Sequence, residues 1–133
     1  MVAATMAVLL AWALSACSFL PSLGQGDALE KYADAERSQL PSVMEANPGV
    51  FSDIQVEAIE PATIAFTFTY ADVMDATATS SNLDGLAPDL QDACDTSVFP
   101  AMRSAGVEGD LQVSYTYLNN DGSEIWTRSF TES

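Results

Sequence analysis

At 133 residues the chain has room for one domain with a real core and none for a second, and its 48% hydrophobic share is ordinary for a globular protein. Its charge is not ordinary: 19 acids against 4 bases give −15, a balance that repels nucleic acid and anionic headgroups at close range and admits cationic partners. There is no histidine, the residue on which hydrolase triads, phosphorelays and most transition-metal sites lean, so neither a cofactor nor a metal site is expected.

Residues 1–16 form an uncharged apolar run of Ala, Val, Leu, Met and Trp. The run is too short to cross a hydrocarbon core of ~30 Å as a mature helix and suits a signal peptide. Its end, Leu14-Ser15-Ala16-Cys17, resembles the lipobox of bacterial lipoproteins: a leucine, two small residues that fit a narrow peptidase groove, and the cysteine. The resemblance implies diacylglyceryl transfer to the Cys17 thiol, cleavage between Ala16 and Cys17, and acylation of the new amine. Two or three acyl chains anchor stably where one would not, which implies a lipid-anchored protein on the extracytoplasmic face of the cell membrane. One feature departs from the pattern, because no Lys or Arg precedes the apolar run; a start upstream of Met1 would supply it. Residues 17–26, with Pro21, Gly24 and Gly26, read as the lipidated cysteine and a flexible tether. Residues 27–133 remain for a single α+β domain.

From Asp27, a suitable N-cap, Leu29, Tyr32, Ala33, Glu36, Leu40 and Val43 fall at helical spacing, with Glu30, Lys31, Asp34 and Arg37 mostly opposite. Pro41 predicts a kink or restart near Leu40, and Asn47-Pro48-Gly49 a stop. The period then changes to two. Ile54, Val56 and Ala58 alternate with acids and Gln55, and beyond Glu60-Pro61 the residues Ile64, Phe66, Phe68 and Tyr70 alternate with small or hydroxyl side chains. Matching the apolar sets pairs Ala58 with Ile64, Val56 with Phe66 and Ile54 with Phe68. Residues 71–82 read as a polar connection. Leu86, Leu90, Ala93, Cys94, Ser97, Ala101 and Ala105 then mark a second helix, with Pro88 in its first turn, a kink at Pro100 and an end before Gly106. Leu111, Val113, Tyr115 and Tyr117 alternate with polar residues up to Asp121-Gly122, which predicts a two-residue hairpin turn with both residues at positive φ. That register sets Tyr117 opposite Trp126, Val113 opposite Phe130, and Arg128 facing Tyr115 as an edge-strand guard or a cation stacked on that ring.

The chain is thus two helix-strand-strand units, neither of which can bury its apolar face alone. The expected fold is α+β, a four-stranded antiparallel sheet with two helices on one face and a threonine-rich face on the other. Leu29-Glu30-Lys31-Tyr32, the run from Thr63 to Tyr70, and Tyr117-Leu118-Asn119-Asn120-Asp121-Gly122-Ser123-Glu124-Ile125 resemble a family of small uncharacterised Gram-positive lipoproteins, a domain of unknown function. The resemblance covers Asp27 to Thr131 and carries no catalytic residues. The layout is also similar in architecture to secreted β-lactamase inhibitory proteins and PepSY-type modules.

Few residues suggest chemistry. Cys94 lies on the apolar stripe with Asp92 and Asp95 nearby, so its thiol pKa should rise, as for a buried small residue. Asp84, Asp89, Asp92 and Asp95 form one acidic group and Asp121 with Glu124 another, and both read as solvated surface or turn, since oxygen-ligand cation sites need more ligands converging from a loop. The expectation is a membrane-anchored, non-enzymatic surface lipoprotein that engages another envelope protein or peptide. Its interaction face would be Thr67, Thr69, Ser114, Thr116 and Thr127, or an edge strand. The alternative is a sensor or accessory subunit whose acidic helix binds a cation or a cationic peptide.

Overall fold

The helical spacing in the first third of the chain does what it predicts. In the computed structural model, which describes residues 25–132, helix α1 (Gln25–Ala46) buries Leu29, Tyr32, Ala33, Glu36 and Val43 on one face. It starts earlier than expected, so the last two residues assigned to the tether are helical and Asp27 lies in the first turn, where its charge complements the helix dipole, rather than capping it. The signal peptide, the Ala16–Cys17 junction and the rest of the tether lie outside the described residues. Instead of restarting near Leu40, α1 runs through Pro41. Pro41 is exposed, so the carbonyl one turn back that loses its donor can turn to water. The helix stops where Asn47 Nδ2 donates to the Val43 carbonyl (2.8 Å) and Val50 N closes a turn onto the Asn47 carbonyl (3.2 Å). Gly49, at φ 76°, takes the position that a turn of this kind reserves for a residue without a Cβ.

Strands β1 (Phe51–Ile59) and β2 (Thr63–Tyr70) form the first hairpin, in the register that the apolar sets predict: Ile54 with Phe68, Val56 with Phe66, Ala58 with Ile64. A bulge between Phe51 and Asp53 inserts Ser52, and that one extra residue swings Phe51 onto the core side, where it is buried and stacks on Tyr70 (5.3 Å).

The second helix corrects the sequence reading. Only residues 71–75 connect; α2 (Ala76–Ala93) begins at Asp75, whose carboxylate accepts from Ala78 N (3.0 Å), and buries Thr79, Leu83, Ala87 and Leu90. Pro88 is therefore well inside the helix and not in its first turn. Before Pro100 the helix widens into a π turn (Cys94–Val98), with Phe99 N–H reaching the Cys94 carbonyl, and continues as α3 (Phe99–Ser104). The wider turn is how the chain accommodates a proline ring that would strike the Thr96 carbonyl in a regular helix.

Strands β3 (Gln112–Leu118) and β4 (Glu124–Thr131) pair as expected, with Val113 opposite Phe130, Tyr115 opposite Arg128 and Tyr117 opposite Trp126. The route to that register differs. Only Gly122 has positive φ (87°), and the loop holds three residues between Asn119 and Ser123, closed by Asn119 N to the Ser123 carbonyl (2.8 Å). A bulge at Ile125 then restores the phase, so loop and bulge together equal the two-residue turn.

The sheet order is β1-β2-β3-β4, and it is mixed: the outer pairs are antiparallel, but β2 and β3 run parallel. The expected all-antiparallel sheet is thus corrected at its centre. One helical pass returns the chain to the end of the sheet from which β2 set out, so the strand after it must run the same way as β2. Both helices cover one face. There the two rows Val56-Phe66-Tyr115 and Ile54-Phe68-Tyr117 join Leu29, Leu83, Phe99 and Met102 in one core, with Phe68 stacked on Tyr117 (4.8 Å) and Phe66 on Tyr115 (5.3 Å).

Candidate binding surface

Strand alternation that sends the aromatic residues inward necessarily sends their neighbours outward. Because the four strands are in continuous register, those neighbours line up in rows. Gln55, Thr67, Thr116 and Thr127 form one, and Glu57, Ala65, Ser114 and Ser129 the next; Thr69 lies between Asp53 and Leu118 in a third. All five residues expected from the sequence, Thr67, Thr69, Ser114, Thr116 and Thr127, therefore stand on this one face. The first four are half-buried by their neighbours and Thr127 is exposed. Thr116 and Thr127 share a hydroxyl hydrogen bond (2.7 Å), and Gln55 Nε2 donates to Asp53 Oδ2 (2.8 Å). The face carries mostly short side chains with hydroxyls that donate and accept, and its acids lie at the two edges, Asp53 and Glu57 on β1 and Glu124 opposite Leu118 on β4. A shallow surface of this kind can take up hydrogen bonds with little loss of side-chain entropy.

A second feature lies along β4. Trp126 sits on the core side of an edge strand, and its indole N–H needs a partner there; Asp84 Oδ1 accepts it (2.8 Å) and also meets an Arg128 guanidinium nitrogen (3.2 Å). The Arg128 guanidinium lies over the Trp126 ring, 5.6 Å from its centroid, so the expected stacking on Tyr115 is corrected: Tyr115 is buried beneath, and Arg128 turns outward to Asp84. Between α2 and β4 an open groove of about 410 Å³ runs past Asp84, Pro88, Gln91 and Phe130. The sequence offered a signal for this cluster, namely an aromatic N–H donor on an edge strand facing an acid-bearing helix, but it resolves only when the parallel β2–β3 pair places α2 beside β4.

The interior holds all four tyrosines, Tyr32, Tyr70, Tyr115 and Tyr117, together with Cys94 and Glu36. Burial pushes the Cys94 thiol up to about 12, against a weak contact to the Tyr115 hydroxyl (4.0 Å), and Tyr70 up to about 12; Tyr115 and Tyr117 are raised too, by the same cause. These groups are held neutral and are not activated as nucleophiles. Burial likewise pushes the Glu36 carboxyl up to about 7, while the Tyr32 hydroxyl beside it pulls the other way. A carboxyl at that pKa suits proton transfer, but Glu36 is 0% exposed, whereas an acid or base must reach its substrate.

The acidic groups are distributed along surfaces. Asp84 serves Trp126 and Arg128, Asp95 accepts from Gln91 (3.0 Å), and Asp121 is drawn into its own turn by Ser123 N and Oγ, bonds that lower its pKa. Among the described residues no three or more Cys, Asp or Glu side chains converge to hold a metal ion, and no helix is long and apolar enough to cross a membrane. Fold and surface define an α+β protein with one packed and one open sheet face. No known family matches the chain, and no curated protein or solved structure is significantly similar to it.

Proposed function

We propose that the chain is an envelope lipoprotein, held on the extracytoplasmic face of the membrane by a lipid on Cys17, whose folded part is a non-enzymatic binding module for another envelope protein or peptide. The observation that carries the binding reading is the register, which gathers Thr67, Thr69, Ser114, Thr116 and Thr127 on a single face that no other described element covers, while every large aromatic among the described residues packs on the other side. Thr, Ser and Gln offer specificity by hydrogen bonding, and a partner would bury a broad shallow area. The anchoring reading rests on the lipobox-like Leu14-Ser15-Ala16-Cys17 and on the short segment between Cys17 and α1, which would hold the domain close to the bilayer.

Two experiments test the two halves separately. Cys17→Ser is expected to abolish incorporation of labelled fatty acid and release the protein from the membrane fraction; a variant that stays labelled and membrane-bound would end the anchoring reading. For the face, the full-length chain is crosslinked in its own membrane and recovered. Thr67→Arg, a charge at the centre of the row, is expected to eliminate the crosslinked species seen with the parent chain while leaving its circular dichroism unchanged. An identical crosslinking pattern would mean that this face engages nothing.

A further inference from the structure

The two edges of the sheet are not equivalent. On β1, Arg37 of α1 donates its Nε–H to the Val56 carbonyl (2.8 Å), and the bulge at Ser52 bends the start of the strand. Both devices discourage strand addition. On β4, among the described residues, no backbone–backbone hydrogen bond is made beyond the ladder to β3, and a side chain reaches the strand's outer backbone only at its end, at Thr131.

The direction of the free groups on β4 follows from two contacts. Gln91 Nε2 reaches the Thr131 carbonyl from α2 (3.0 Å), so this carbonyl points away from β3. The 2.7 Å approach of the Thr116 and Thr127 hydroxyls has the closeness of an antiparallel pair that does not exchange backbone bonds. Alternate residues share a direction, and both contacts therefore turn the N–H and C=O of Thr127 and Ser129 to the outside. Directly beside them lies the groove, with Ala87, Pro88 and Phe130 as its apolar floor and Asp84 and Gln91 on its helix wall.

We infer that this groove is a docking site for an extended basic peptide segment, which adds to β4 as a fifth strand through Thr127 and Ser129 and lays a lysine or arginine over Ala87, Pro88 and Phe130 with its cation on Asp84. Charge selects the occupant. The chain contains no Lys or Arg from Ser38 to Met102, so α2 brings no base to the groove: its wall carries Asp84, and beyond it Asp95 accepts from the groove-lining Gln91. Asp84 gives Oδ1 to Trp126 and Arg128, which leaves Oδ2 for an incoming donor on a side chain that is 55% exposed. Arg128 does not oppose this cation freely, being held by Asp84 and the Trp126 ring. A second copy of the chain is disfavoured, because each brings −15 and would face acid with acid. The main-chain bonds would supply affinity and the groove-facing side chain specificity. The site rests on the reading of the domain as a binding module but uses a different surface.

The test titrates the full-length chain, in detergent micelles, into a fluorescein-labelled peptide of about ten alternating lysines and valines, with a glutamate-valine peptide as counterpart. The basic peptide is expected to bind and the acidic one not. Asp84→Asn and Ser129→Pro, which removes an outward N–H without touching the β3 ladder, are each expected to weaken binding about tenfold or more. A basic peptide N-methylated at alternate residues keeps its charge but loses strand donors, and it is expected to bind as weakly; it covers the case in which Ser129→Pro does not fold. No binding to the parent chain, or equal binding of the N-methylated peptide, would overturn the site. A chain that ignores the peptide yet loses its membrane crosslink on Thr67→Arg overturns this site alone, whereas peptide binding without any such crosslink retains the groove and removes the sheet face.

Discussion

Phe66→Ala is expected to lower the unfolding free energy by about 3–5 kcal/mol, the range for truncating a buried aromatic whose site cannot collapse. Phe66 is 2% exposed at the middle of β2, with Val56 opposite on one side and Tyr115 stacked at 5.3 Å on the other, and its ring also lies 6.4 Å from that of Phe68. It is thus enclosed within the sheet by rings that the backbone register holds in place, and the helices close it from above. Urea unfolding followed by circular dichroism, with an unchanged slope, would give the number. The adjacent Thr67→Ala is the internal control. One residue along the strand it belongs to the open face, and its substitution is expected to cost no more than about 0.5 kcal/mol. Similar losses at the two positions, or a loss at Phe66 under about 1 kcal/mol, would mean that the two faces are not divided as described.

This division was legible in the sequence because it needs only a period of two. The pairs Val56–Phe66 and Tyr117–Trp126 followed from matching apolar sets, and the five hydroxyl residues of the open face followed with them. The parallel alignment of β2 and β3 was missed because pairing two hairpins by composition ignores what the connecting helix does to chain direction. The start of α2 was missed for another reason: Ala76–Asn82 is rich in Thr, Ser and Asn, weak helix formers, and only the Asp75 cap with Thr79 and Leu83 at helical spacing marks it. In the last hairpin the register was right although the turn was not, since a bulge at Ile125 compensates a loop one residue longer. Register is fixed by burial over the whole strand, and the turn adapts to it. The Asp84–Trp126–Arg128 cluster lay beyond reach for the same reason as the parallel pair, because it joins elements 42 and 44 residues apart that meet only once α2 is set over β4.

Glu36 stood on the apolar stripe of α1 in the sequence, and its burial gives the protein an unusual pH dependence. With the carboxyl raised from 4.5 to about 7, the folded state holds a proton that the unfolded chain has already released. The stabilising consequence of this neutral, packed form is complete below about pH 4.5, declines as the pH rises, and is gone above about pH 7, where folding must bury a charge. The full difference is about 3 kcal/mol at 1.36 kcal/mol per pKa unit. Glu36→Gln is therefore expected to match the parent at about pH 4 and to exceed its stability by up to about 3 kcal/mol at about pH 8. Removing one negative charge from a chain of −15 would also relieve general repulsion, so Glu45→Gln, an exposed acid on the same helix, is measured alongside it. A Glu36→Gln gain at alkaline pH no larger than that of Glu45→Gln would show that the Glu36 carboxylate is accommodated in the fold, by Tyr32 or by water, and that α1 packs on the sheet without a penalty for its charge.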